Sequence, residues 1–255
     1  MSWKGGRIRG PMRWFVTGAL GMALLLSTRG MAAEESLAGL AGTVGHIRVG
    51  MTLDLKGESA ISGGHYFYVH YLKDIPLTGL IQGGEVTLNA VGGGIFQLHF
   101  KGNGSEGGKA LNFLNSVGLE GTWKKGSQKL PVTLDFTDRV PRVAAGQRYE
   151  SVTSESQAAF EARVQGFWRS VLAGKKSAAA LYVSFPLRVN QGGKSRMISS
   201  AQELTAQWSQ IFTKDYLTAL GAAVPHDMFT RNGQVMLGDG LAWFGAKGAV
   251  ALNLP

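Results

Sequence analysis

The sequence predicts an α+β protein made of two unlike halves: a Gly-rich, all-β antiparallel meander, then helices packed on a curved antiparallel sheet. Three observations carry that prediction. From Ile47 to Phe136, apolar residues recur with period two in short stretches bounded by Gly, Asn, Ser or Asp. Beyond Pro141 the period lengthens to that of a helix, and helix-start signatures appear. Glycine supplies 37 of the 255 residues, about twice the average usage of roughly 7%, as a chain with many tight turns requires.

The first 33 residues read as an export signal. Lys4, Arg7, Arg9 and Arg13 form a basic region and Trp14 to Leu26 an apolar one. Gly30-Met31-Ala32-Ala33 then offers small residues for cleavage ahead of Glu34. Cleavage after Ala33 leaves Met31 at −3, and cleavage after Ala32 leaves Gly30 there. The apolar stretch is shorter than the ~20 residues of a spanning helix, and no second run of membrane length follows. The mature chain is therefore expected not to span a membrane, and its location to be periplasmic in a Gram-negative cell, or secreted.

Residues 34–140 form the β half. Strands are expected at Ile47–Leu55, Gly64–Tyr71, Ile75–Ile81, Glu85–Val91, Ile95–Lys101, Gly118–Lys124 and Leu130–Phe136. Gln82-Gly83-Gly84, Gly92-Gly93-Gly94 and Lys125-Gly126-Ser127 provide hairpin turns. Seven short strands at roughly ten-residue spacing suggest a meander closing into a small barrel or curving strongly. Asn103–Asn115, carrying Leu111, Phe113 and Leu114, breaks the rhythm and is expected to plug an open end.

A linker is placed at 141–153, overlapping a stretch from Thr137 to Ser151 nearly free of large apolar residues. The α+β half is 154–255. Ser154 and Gln157 read as a capping box before Phe160, Val164, Phe167, Trp168, Val171 and Leu172, with Gly174 at the stop. Tyr182–Asn190 reads as a strand, at an edge or at its entry because of Pro186. Ser200 and Glu203 start a helix through Leu204, Trp208, Ile211 and Phe212, and Thr213 caps another through Leu220. Strands at Met228–Arg231, Gln234–Phe244 and Ala249–Asn253 finish the chain, with Asn232-Gly233 as a hairpin turn.

Composition excludes whole classes of chemistry. The chain has no Cys, which removes disulfides, thiolate metal centres, a Cys nucleophile and a lipidated Cys anchor. The formal charge is +9, but five of the basic residues belong to the signal. The remainder carries 21 basic and 17 acidic residues, net +4, with no basic cluster interleaved with aromatics, so nucleic acid is not expected as a partner. Residues 34–140 are net −1 and residues 141–255 net +5. A modest positive field on the second half suits an acidic partner, either a protein surface or an anionic envelope component.

The second half resembles the cone-shaped α+β superfamily of nuclear transport factor 2 and ketosteroid isomerase, in its bacterial secreted branch. The resemblance lies in Phe167-Trp168, Tyr182-Val183-Ser184-Phe185-Pro186-Leu187, Ile211-Phe212-Thr213, and Gly233 to Gly240 running into Trp243-Phe244. It covers about Ser154 to Pro255 and implies a fold more than an activity, because that superfamily puts one cavity to many uses. The first half is similar to a Gly-rich β-domain of exported bacterial proteins through Ile61 to Tyr68, Asp74 to Gly79 and Gly121-Thr122-Trp123; no activity attaches to that pattern.

An enzyme with the cone fold would place an acid or base in its cavity. Asp239, His226 and Asp227 are the catalytic candidates, with Tyr182, Arg188 and Trp243 as ligand-binding companions. Asp239 is expected on a strand, sharing a side with Leu237, Leu241 and Trp243, either as a proton-transfer group or, in preference, as an acid paired with Arg188 or Arg231 or lying at a bulge made by Gly238 and Gly240. His226 and Asp227 are adjacent, and neighbours on an extended chain point to opposite faces. His65, His70 and His99 raise the question of a metal, but His65 and His70 differ by an odd number and no second pair stands at ligand spacing, so no metal site is expected. Tyr66, Tyr68 and Tyr71 are expected to pack in the core in preference to forming an exposed platform. Ser184 and Ser195 lack a nucleophile elbow, and Gly92-Gly93-Gly94 is a turn, with no helix start after it to cradle phosphate.

These readings favour an exported binding or interaction protein without catalytic activity or cofactor, its partner a protein or an envelope component and a homodimer left open. The rival is a small-molecule isomerase-like or dehydratase-like enzyme using the cone cavity.

Overall fold

The computed structural model describes residues 35–57, 60–105, 107–141 and 148–255. The export-signal reading falls outside the described residues, as does residue 34 with the 142–147 portion of the expected linker. Among the described residues no helix is long and apolar enough to cross a membrane.

Eight strands form a closed antiparallel barrel in chain order. They are β1 (Glu35–Val44), β2 (Ile47–Lys56), β3 (Ala60–Tyr68), β4 (Ile75–Gln82), β5 (Glu85–Ala90), β6 (Ile95–Lys101), β7 (Gly118–Lys125) and β8 (Gln128–Pro141). The meander is the expected one, with one strand added. β1 pairs with both β2 and β8 and so removes the two free edges. It escapes period-two reading because Gly39, Ala41 and Gly42 interrupt its apolar residues. Those glycines are required where strands approach closely: a Cβ on Gly42 would overlap the backbone carbonyl of Thr133 on β8. Inward residues Met51, Leu53, Leu55, Leu88, Phe96, Leu98, Leu119 and Leu134 fill the barrel. In the 103–115 segment Phe113 is buried edge-on to Phe100, as a plug would be, while Leu114 stays exposed. Tyr66 packs inward against Phe96, and Tyr71 is exposed.

The second half is a six-stranded sheet with helices. α1 spans Gln157–Leu172 and α2 Lys176–Ala180. The cap of α1 is Ser156, whose hydroxyl accepts the Ala159 N–H at 3.3 Å, and not Ser154. The hairpin β9 (Val183–Gln191) and β10 (Lys194–Ile198) follows. α3 (Ala201–Ala206), α4 (Trp208–Ile211) and α5 (Lys214–Ala222) come next, with Ser200 capping α3 and Thr213 capping α5. β11 (Phe229–Arg231), β12 (Gln234–Leu237), β13 (Ala242–Gly245) and β14 (Gly248–Asn253) complete the sheet in the order β10-β9-β14-β13-β12-β11. β9 is an interior strand and not an edge. Pro186 is tolerated because the pairing with β14 skips from Val183 to Arg188 and needs no donor between them. Phe160, Phe167, Phe212, Tyr216 and Phe244 are fully or nearly fully buried between the helices and the sheet. This core is distinct from that of the barrel.

Candidate functional site

The two cores meet through polar side chains. β2 and β3 pair with Thr52 opposite His65, and because Met51, Leu53 and Tyr66 point into the barrel, Thr52, His65 and Phe67 point outward. The segment between α5 and β11 lies against this outer face. There Asp227 adopts φ 48°, a left-handed turn that defeats the alternation expected of an extended chain. His226 and Asp227 consequently both face the barrel. The His226 ring stacks edge-on to Phe67 at 4.4 Å between centroids. Gly50 leaves room for that Phe67 ring, which a Cβ at Gly50 would overlap.

Asp227 is at the centre. Its Oδ2 lies 2.5 Å from His65 Nε2 and accepts the Thr52 hydroxyl at 2.7 Å. Its Oδ1 accepts Gln157 Nε2 at 3.2 Å and faces Arg148 Nε at 3.4 Å. Arg148, itself buried, also donates to Thr52 Oγ1 at 3.1 Å and to the Asp227 carbonyl at 3.3 Å, and lies 3.8 Å from Asp138. A second buried acid, Glu161, sits one helical turn from Gln157 on the same face of α1. Its Oε1 accepts the Tyr149 hydroxyl at 2.7 Å and the Asp227 N–H at 3.1 Å. Its Oε2 stands 2.5 Å from His226 Nδ1, an ion-pair contact without the alignment of a hydrogen bond. The other ring nitrogen, His226 Nε2, is 2.8 Å from Asp74 Oδ1 on the β3–β4 loop, and His65 Nε2 is 3.5 Å from the same oxygen.

Charge pairing overrides burial at Asp227, His226 and His65. Burial pushes the Asp227 carboxyl up, yet the His65 hydrogen bond and the Arg148 guanidinium hold it far below the usual carboxylate range. Burial works against the imidazolium at His226, but contacts with Asp74 and Glu161 prevail and raise it to about 10. His65 is raised too, its burial outweighed by the Asp227 hydrogen bond and the charges of Asp227 and Asp74. At Asp138 burial wins over the Arg148 charge and the carboxyl is raised. Burial, aided by the Glu161 charge, drives the Tyr149 phenol well up, so it remains a donor.

Beside this network a cleft of about 960 Å³ opens between the outer faces of β1 to β3 and the α5–β12 region. Its floor on the barrel is glycine and small apolar residues of β1 with Val49, Gly50 and Met51; the opposite wall carries Ala219, Ala222, Met228 and Met236. Thr43, Arg48, Thr52, Thr137, Asp138, His226, Asp227 and Asp239 are the polar residues at its lining. Arg48 is anchored across the cleft to the Ala222 carbonyl at 3.0 Å.

Of the sequence candidates, only His226 and Asp227 come together. The strand expected over Gln234–Phe244 is broken at 238–241, and Asp239 is exposed in that turn with φ 50°. It borders the cleft, and among the described residues no ion pair joins it to Arg188 or Arg231. Arg188 is exposed on β9; Tyr182 is half-buried against Gly166 of α1; Trp243 is half-buried on β13 opposite Met236. His99 pairs with Glu120 on an exposed part of the barrel, and His70 stacks on Tyr71. Sequence reasoning missed Arg148, Glu161, Thr52 and Asp74. Glu161 alone left a signal, an acid within the apolar stripe of α1. No protein-family model, curated protein or solved structure matches this chain.

Proposed function

We propose that the chain is an exported binding protein, periplasmic or secreted, that holds a ligand or a segment of a protein or envelope partner in the cleft between the barrel and the α+β half. The observation that carries this reading is the cleft itself: about 960 Å³, with mostly apolar walls and with Thr52, Asp138, His226 and Asp227 of the polar network at its lining. Binding fits better than catalysis because both oxygens of Asp227 are already engaged, by Thr52 and His65 on one side and Gln157 and Arg148 on the other. A carboxylate so used holds its surroundings in place and has no free lone pair aimed at a substrate. The cone-shaped superfamily remains our reading of residues 154–255. In its support, a helix pair, a hairpin, further helices and a four-stranded meander return to pair in parallel with β9. Phe160, Phe167, Tyr216 and Phe244 fill the interior between the helices and the sheet of residues 154–255, while the cleft lies outside that core, which favours the binding reading over an isomerase-like or dehydratase-like enzyme.

Native mass spectrometry of the full chain from its envelope fraction, with and without Ala219→Trp, tests the proposal. Ala219 lies in the cleft wall with its side chain exposed, so the indole fills the cleft without disturbing a core. A bound species or captured partner lost in the variant is the expected result. Binding equal in both proteins would remove the cleft from consideration.

A further inference from the structure

We propose that His65, Asp74 and His226 form a binding site for a divalent transition-metal ion of the zinc type. The inference goes beyond the cleft reading and does not depend on what the cleft holds. One ligand atom from each residue lies within 4.8 Å of the other two. Asp74 Oδ1 stands 2.8 Å from His226 Nε2 and 3.5 Å from His65 Nε2, and an ion here would take the place of the hydrogen bond between His65 Nε2 and Asp227 Oδ2. Ligands about 2.1 Å from one ion are separated by about 3.0 Å at octahedral edges and about 3.4 Å at tetrahedral ones, so these separations suit a shared ion. Two imidazoles with one carboxylate are the donor set of zinc and its first-row neighbours, in contrast to the all-oxygen sets of calcium and magnesium.

The surroundings of the site point the same way. His226 turns its other nitrogen, Nδ1, to Glu161 Oε2 at 2.5 Å; this ion-pair contact puts a carboxylate behind the imidazole, the side from which carboxylates orient metal-bound histidines. Glu161 is fixed in turn by Tyr149 and the Asp227 N–H. The carboxylates of Asp74, Asp227 and Glu161 stand within 3.5 Å of the two imidazoles, and among the described residues only Asp227 of the three also pairs with Arg148. A divalent ion that takes the place of the two imidazolium protons leaves that charge balance unchanged. Access exists because the Asp74 side chain is 42% exposed, while that of His226 is 7% exposed. The three ligands come from β3, the β3–β4 loop and the α5–β11 segment, so the ion would tie the barrel to the α+β half.

The test is isothermal titration of the full, chelator-treated chain with zinc chloride alone, alongside Asp74→Asn, His65→Gln and His99→Gln. One zinc per chain is expected, with at least tenfold weaker binding in Asp74→Asn and His65→Gln and no change in His99→Gln. Thermal melting in zinc should rise for the unaltered chain and for His99→Gln only. Melting in chelator checks that each variant is folded, and the exposure of Asp74 makes its conservative replacement the one that decides. Less than one zinc per chain, or full affinity in Asp74→Asn, would overturn the proposal, as would loss of binding in His99→Gln.

Discussion

Arg148 shows how one side chain comes to hold two halves of a protein together. Its guanidinium reaches Thr52 on the barrel, Asp138 on β8 and both the carboxylate and carbonyl of Asp227. Removing a partner from a buried ion pair leaves the other charge desolvated and uncompensated. Arg148→Met should therefore lower stability by about 3–5 kcal/mol in urea denaturation. The exposed pair of Lys101 with Asp135 is the contrast: Lys101→Met should leave the midpoint where it was, because solvent screens that charge. Equal effects of the two substitutions would show that burial is not what gives Arg148 its weight.

At the scale of elements, the barrel depends on two features that its period-two pattern does not display. The first is the bare backbone of β1. With the Thr133 carbonyl in the way, Gly42→Ala must displace β1 from β8, and a loss of about 1–3 kcal/mol is expected from overpacking. The second is the plug. Phe113 is 5% exposed against Phe100, while its neighbour Leu114 is 57% exposed. Phe113→Ala should cost about 3–5 kcal/mol, as truncating a buried aromatic does, and Leu114→Ala less than about 0.5 kcal/mol. Guanidinium midpoints for the pair measure this directly. A small effect at Phe113 would mean that the loop lies on the barrel without closing it.

For the whole molecule, the question is whether two separate cores behave as one cooperative unit. The barrel and the α+β half each fill their own interior, and Asp227 is bonded to Thr52 and His65 on one side and Gln157 on the other. Coupling through such a network makes the unfolding of one half destabilise the other. Trp123 lies in the barrel, and Trp168, Trp208 and Trp243 in the other half, so fluorescence can follow the halves separately when Trp123, or all three of the others, are replaced by Phe. Coincident transitions are expected for the unaltered network. In Asp227→Ala they should separate by a measurable interval of denaturant concentration. Transitions already separate in the unaltered chain would show that the polar contact does not couple the halves.

Periodicity within the sequence determined seven of the eight barrel strands, the helix starts at Ser200 and Thr213, the long helix α1 and the change of architecture after Pro141, because each depends on residues a few positions apart. β1 and β10 escaped, the first because its glycines serve a close approach to β8, the second because Lys194 to Met197 are exposed and carry no apolar alternation. The polar site was out of reach for a different reason. Thr52, His65, Asp74, Arg148, Glu161 and Asp227 are distant along the chain, and no spacing rule relates them. What brings them together is a barrel face meeting the turn after α5. The left-handed backbone at Asp227 then sets two adjacent side chains toward the same neighbour. Local pattern reports which face of an element is apolar; only the packing of one element on another decides which polar groups share a buried site, because burial itself forces them to find one another.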